Sequence, residues 1–216
     1  MDNVKRATEI IKLLESEYPN VRTALHYKNT FHLMISVMLS AQTTDKQVNK
    51  VTPTLFKRFK KPEDFAKANV QEIGKYINTV GLWKGKSKNI KKACEILVEK
   101  YNSKVPKTMV ELVSLPGIGR KTANVILSQG FGINEGIAVD THCYRVSQRL
   151  GFHNRKDRNK AEEEMMPIVP RKDWGKFSLL LVEHGRAICK AQKPACDKCV
   201  LNKACPSAFK FPHFKK

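Results

Sequence analysis

The chain has 216 residues, 41% of them hydrophobic, enough apolar surface for one domain with a substantial core or for two small ones, and this argues against a disordered polypeptide. The 40 lysines and arginines against 20 acidic residues leave a formal net charge of +20, which says little about fold but favours a polyanionic partner such as DNA, RNA or an anionic membrane. No run of about 18 apolar residues occurs and no apolar core follows the charged N-terminus, so neither a spanning helix nor a secretory leader is expected, and an intracellular protein is.

Taken in chain order, the pattern is helical almost throughout. Val4, Ala7, Ile10, Ile11 and Leu14 fall on one face of a first helix that ends before Pro19. Asn29 and Thr30 can cap a second helix over 31–39, whose continuous hydrophobicity predicts a central, buried position. Further helices are predicted at 45–59, 70–78, 87–101, 108–115 and 120–130. A glycine-rich stretch at 130–136 breaks the pattern and marks a join between two lobes, after which helices fit 141–150, 158–169 and 174–188. No apolar–polar alternation is sustained, so the fold class is all-α.

The segment LPGIGRKTAN at 115–124 carries the most chemistry. Pro116 stops one helix, and Gly117 and Gly119 permit backbone angles and close approaches that a side chain would block. With the next helix starting near Arg120, its free N–H groups and those of the glycines can face one anion. An αα-hairpin of this kind would grip a phosphate and leave Lys121 within reach of the adjoining sugar. Nineteen residues later, VDTH at 139–142 offers the carboxylate of Asp140. An amine and a carboxylate beside a held phosphate suggest chemistry on nucleic acid. The plainer readings are a solvated lysine early in a helix and an aspartate that caps the helix beginning at Thr141, a role compatible with catalysis. His142 reads as a structural histidine.

Cys189, Cys196, Cys199 and Cys205 give the spacing C-x6-C-x2-C-x5-C. Four thiolates so close can enclose one soft metal centre, either zinc or a [4Fe–4S] cluster. Zinc sites usually pair two short C-x2–4-C knuckles, and only one such pair exists here, so the spacing favours the cluster. Cys94 and Cys143 lie on helical patterns and read as buried apolar residues. Arg186, Lys190, Lys193, Lys198 and Lys203 surround the cysteines against Asp197 alone, so the loop 190–195 either presents cations to a phosphate backbone or forms a solvated basic face.

LPGIGRKTAN, then VDTH, then the four cysteines, together with LSAQTTD at 39–45 and TVGL at 79–82, closely resemble the endonuclease III family of helix-hairpin-helix DNA glycosylases. The likeness runs from the N-terminal helix to Cys205. It implies two helical lobes: a six-helix barrel over residues 22–133 with the hairpin, and a lobe of residues 1–21 plus 134–216 with a C-terminal [4Fe–4S] loop. It implies double-stranded DNA with damaged bases or abasic sites as partner, no membrane, a monomer, and a cytoplasmic place at the nucleoid. The damaged base would be flipped from the duplex held along a cleft. Lys121 matches the family's nucleophile and Asp140 the aspartate that assists it. Gln42 matches a residue that fills the space left by the flipped base, and Leu82 one that wedges into the stack. Leu115, Gly117, Gly119 and Arg120 would contact DNA through the hairpin, and Lys190 and Lys193 through the cluster loop.

The residue types suit the reaction. A neutral amine is a good nucleophile, and desolvation, Arg120 or the positive end of a helix would each disfavour the ammonium of Lys121. As the glycosidic bond breaks, positive charge develops on the sugar, which Asp140 could stabilise. The expected activity is a bifunctional glycosylase and abasic-site lyase on oxidised pyrimidines. One alternative is the related mismatch adenine glycosylase, whose second helix carries a catalytic glutamate where this chain has Ser36. Another is a non-catalytic helix-hairpin-helix binding module. The lysines at 84, 86, 88, 91 and 92 could meet phosphates or form a charged helix face.

Overall fold

The computed structural model describes residues 2–214 and, among them, contains helices and turns but no strand. The chain divides into two compact units, Thr23–Ile133 and a second made of Met1–Arg22 with Asn134–Lys216.

The first unit is built around its most apolar helix. Helices α1 (Asn3–Glu17) and α2 (Thr30–Ser40) come first in the chain, α1 belonging to the other unit. All residues from Phe31 to Leu39 are buried, so α2 has no solvent face. Around it lie α3 (Asp45–Arg58), α4 (Pro62–Lys67), α5 (Val70–Ile77), α6 (Trp83–Lys100), α7 (Met109–Val113) and α8 (Arg120–Ile126). Side-chain caps set several helix starts. Asn29 accepts from the His32 amide at 2.8 Å, Asn69 from Glu72 at 2.7 Å, and Thr108 from Glu111 at 3.3 Å. Phe31, Phe59 and Phe65 close one end of the core with ring centroids 4.7–5.8 Å apart.

Several elements differ from the sequence expectation: the short helix α4 forms where none is predicted, and the helices predicted over 108–115 and 158–169 span Met109–Val113 and Arg158–Met165. The helix predicted over 120–130 is α-helical only to Ile126 and continues as a π turn, Leu127–Phe131. There a Cβ on Gly130 would stand 2.6 Å from Cγ2 of Thr30, so the chain must pass α2 without a side chain. Helix α6 starts at Trp83 rather than at 87, which draws Lys84 and Lys86 into its first turn.

In the second unit α1 packs against α11 (Trp174–Ala187), which also lies on α9 (Thr141–Arg149), while α10 (Arg158–Met165) adds Ala161 and Met165 to the buried set. The helices supply Ala7, Ile10, Leu14, Cys143, Val146, Phe177, Leu180 and Leu181 to one core. Beyond residue 188 the described chain has only short 3-10 turns, and Pro194, Cys196 and Leu201 are its buried residues.

Candidate functional site

The hairpin is built as its glycines require. Helix α7 ends at Val113 and α8 begins at Arg120 with Gly119 as its N-cap. Gly117 has φ +83, a left-handed conformation that a side chain would strain, and a Cβ there would meet Asn89 at 3.0 Å. Space opens where a Cβ on Gly119 would stand, and no side chain caps α8, so the start of this helix is left to an external acceptor. Leu115 is 1% exposed: its side chain is core, which leaves a contact at this position to the backbone. Lys121 is exposed on the first turn of α8.

Gln42 and Leu82 come together in the same unit. Both are exposed, and both hold left-handed backbone conformations, φ +52 and +59, that cost non-glycine residues about 1–3 kcal/mol. A Cβ on Gly81 would lie 2.8 Å from the carbonyl oxygen of Gln42, so the two loops touch through backbone. Lys86 departs from the expectation of a phosphate contact. Its side chain is buried, and Nζ donates to the carbonyls of Leu39 at 2.6 Å and Ala41 at 2.5 Å and to Oγ1 of Thr43 at 3.0 Å. Lys91 also turns inward, to the carbonyl of Ala66 at 2.6 Å and to Glu95, whereas Lys84, Lys88 and Lys92 stay exposed.

In the second unit Asp140 caps α9, its Oδ1 accepting from the Cys143 amide at 2.7 Å. That bond occupies one oxygen and orients the half-buried carboxylate. His142 meets Arg145 at 3.3 Å, in keeping with a structural role.

Cys189, Cys196, Cys199 and Cys205 line one cavity with Val146, Leu150, His184 and Ile188. Among the described residues no three His, Cys, Asp or Glu side chains converge tightly enough to hold one ion, so the thiols surround a space rather than a point. Burial pushes the Cys199 thiol up to about 11 and Cys205 upward, which disfavours bare thiolates and is what a cationic centre reverses.

Donors aim at the sulfurs. Arg149 Nη1 lies 3.2 Å from Sγ of Cys189, the Leu201 amide donates to Sγ of Cys199 at 3.4 Å, and His184 Nε2 is 3.3 Å from the same sulfur. Burial lowers the His184 pKa to about 4, so the ring is neutral. With a thiolate at Cys199, Nε2 carries the proton and Nδ1 accepts from the hydroxyl of Tyr18, 3.2 Å away. Four sulfurs with N–H donors suit a thiolate-held cluster.

Lys190 and Lys193 are exposed on the loop between the first two cysteines, Lys193 with φ +47. Arg149 had no place in the sequence reading, yet it holds this loop. Besides Cys189, it donates to the carbonyls of Lys190 at 2.7 Å and Ala191 at 2.9 Å, and its guanidinium lies over Phe211 at 4.6 Å. No local signal in the sequence pointed to it, since Arg149 ends α9 and Lys190 lies 41 residues further along the chain. The Lys121 amine and the hairpin thus lie in one unit with Gln42 and Leu82; Asp140, Lys190, Lys193 and the cysteines lie in the other.

Known proteins agree with this geometry. The profile described as HhH-GPD superfamily base excision DNA repair protein matches residues 35–171. Endonuclease III of Synechocystis sp. is 45% identical over 204 residues, 94% of this chain and 93% of that protein. Endonuclease III of Escherichia coli is 40% identical over 205 residues, 95% of this chain and 96% of its own length. A solved structure of a trapped endonuclease III–DNA covalent intermediate superposes with a TM-score of 0.90 at 40% identity, covering 95% of this chain and 97% of that one. The chain belongs to the endonuclease III family, within the HhH-GPD superfamily of base excision DNA repair proteins.

Proposed function

We propose that this base excision repair enzyme removes oxidised pyrimidines from double-stranded DNA and cuts the strand at the resulting abasic site, with Lys121 as nucleophile. The observation that carries the reading is the exposed lysine on the first turn of α8, directly behind a glycine turn whose backbone donors are uncapped. The hairpin backbone, with Gly117, Gly119 and Arg120, would hold a phosphate of the lesion strand, with Lys190 and Lys193 giving further phosphate contacts. Water leaves Lys121 when substrate covers it, and the neutral amine then attacks C1′ of the damaged nucleotide. The C1′–N bond breaks, and the departing base takes up a proton. Asp140, oriented by its cap, stabilises the positive charge on the sugar and manages protons. Opening of the sugar ring leaves an imine between Lys121 and C1′. That imine acidifies the C2′ proton; its loss expels the 3′ phosphate by β-elimination, and water releases the lysine. Gln42 would occupy the vacated place in the stack and Leu82 would wedge beside it, which suits their exposed, left-handed tips.

The four C-terminal cysteines would hold a [4Fe–4S] cluster. When bound, it supplies a covalent cross-link that orders a segment with few core residues of its own. No helix among the described residues is long and apolar enough to cross a membrane, and a chromosomal substrate would place the work in the cytoplasm at the nucleoid, by a monomer. The adenine-excising alternative needs a carboxylate at position 36, where Ser36 is fully buried.

Borohydride trapping tests the reading. Wild-type protein with a duplex carrying thymine glycol should yield a protein–oligonucleotide adduct, and Lys121→Gln should yield none. A Lys121→Gln protein that is trapped like wild type, or nicks abasic DNA at the wild-type rate, overturns it.

A further inference from the structure

Lys86 is the one buried cation of the basic stretch from 84 to 92. Its ammonium has three donors, and three neutral oxygens receive them: the carbonyls of Leu39 and Ala41 and the hydroxyl of Thr43. Burial without a countercharge pushes the group down to about 8, so a lysine here is costly. The end of α2 favours a positive charge, but that alone does not call for a side chain reaching from another helix.

What sets Lys86 apart is where its two ends lie. Its backbone amide bonds to the carbonyl of Leu82 at 3.1 Å, in the first turn of α6. Its Nζ grips the residues on both sides of Gln42, namely Ala41 and Thr43. Gln42 and Leu82 are exposed and held at φ +52 and +59, a conformation this unit otherwise has, glycines aside, at Asn102 and Ser103, and Gly81 already brings the backbones of the two tips into contact. A loop that must hold an unfavourable conformation needs its neighbours pinned.

We propose that Lys86 is a positioning residue, tying the Gln42 loop to the Leu82 turn so that both tips enter the duplex in one fixed register. This rests on the proposed roles of Gln42 and Leu82. Lys86 touches neither DNA nor the reacting sugar; it acts through the backbone it holds.

Lys86→Met, Lys86→Arg and Thr43→Val separate this role from general folding. Two reactions are compared, each against its own wild-type rate: single-turnover base release from a thymine glycol duplex, and strand cleavage at a preformed abasic site in single-stranded DNA. The second has no stack to open. Lys86→Met should slow duplex excision about 10- to 100-fold while single-stranded cleavage stays within about two-fold. Thr43→Val should slow excision by about three-fold and Lys86→Arg by an intermediate factor. The fluorescence change of 2-aminopurine placed opposite the lesion should shrink in the same order. In a Gln42→Ala background, Lys86→Met should add less than about two-fold.

Duplex excision that stays at the wild-type rate in Lys86→Met, a parallel fall of both reactions, or multiplying effects of Gln42→Ala and Lys86→Met would overturn the proposal. If Lys86→Met does not fold, Thr43→Val decides by the same comparison. Failure of the underlying functional reading shows separately, as wild-type protein that releases no base and forms no borohydride adduct, and it removes the positioning role as well.

Discussion

The two regions expected to meet DNA are ordered by opposite means. The tips at Gln42 and Leu82 and the hairpin grow from a unit whose central helix is buried along nearly its whole length, so aliphatic packing holds them. The segment after residue 188 buries only Pro194, Cys196 and Leu201 among its described residues and is held by Arg149 and by hydrogen bonds to sulfur around the cavity that the four cysteines line. A strained probe is best mounted on a core that is rigid before DNA arrives. A basic loop with too few apolar residues needs a bound group to have a shape at all.

Breaking the cysteine cage should have the largest effect. With the proposed [4Fe–4S] cluster bound, Cys196→Ser or an iron chelator should abolish visible absorption and open Lys190, Lys193, Lys198 and Lys203 to trypsin, while the helices of 23–133 keep their far-ultraviolet dichroism. Unchanged protease resistance in iron-free protein would mean that the segment folds without its metal. Leu39→Ala sharpens the comparison from the other side. It should cost about 2–5 kcal/mol in urea unfolding with no loss of iron, since it empties the end of α2 and leaves the cysteines untouched. An equal loss of iron would show that the two regions are ordered together.

Asp140 caps α9, and a catalytic role is proposed for it as well. Asp140→Ala should lose about 1 kcal/mol of stability along with activity, whereas Asp140→Asn, which can still cap, should lose activity with a stability change below about 0.5 kcal/mol. Asp140→Asn with wild-type turnover would leave only the cap.

A pH dependence sharpens the comparison further. Burial holds Lys86 near 8 in the folded protein, against about 10.4 in an unfolded chain. Between those values the unfolded state binds the extra proton, so the contribution of Lys86 to stability rises with pH through that window and is level below it. The stability difference between wild type and Lys86→Met should shift toward wild type between pH 7 and pH 9.5 in urea unfolding, by up to about 2 kcal/mol. A shift the other way would mean that the carbonyls hold the proton on.

The all-α class was legible because 3.6-residue periodicity survives in α1 and α9, where buried and exposed positions alternate, while α2 is apolar and buried from Phe31 to Leu39 as its continuous hydrophobicity predicts. The short helix α4 was missed, since six residues carry too little period to register. The π turn after α8 was missed too, because it answers to the close passage of Gly130 past Thr30, a hundred residues earlier in the chain. The hairpin and the four cysteines were readable in advance, as their chemistry depends on near neighbours and fixed spacing.

By itself, then, the sequence determined the family and the helical class, because each rests on short-range order. Direction was left to tertiary structure. Lys86 and Lys88 are indistinguishable as letters, yet one meets three oxygens delivered by α2 and its loop and turns inward, while the other meets water. Leu115 sinks into the core and Leu82 stands 62% exposed for the same reason: what a side chain faces is decided by segments far away along the chain.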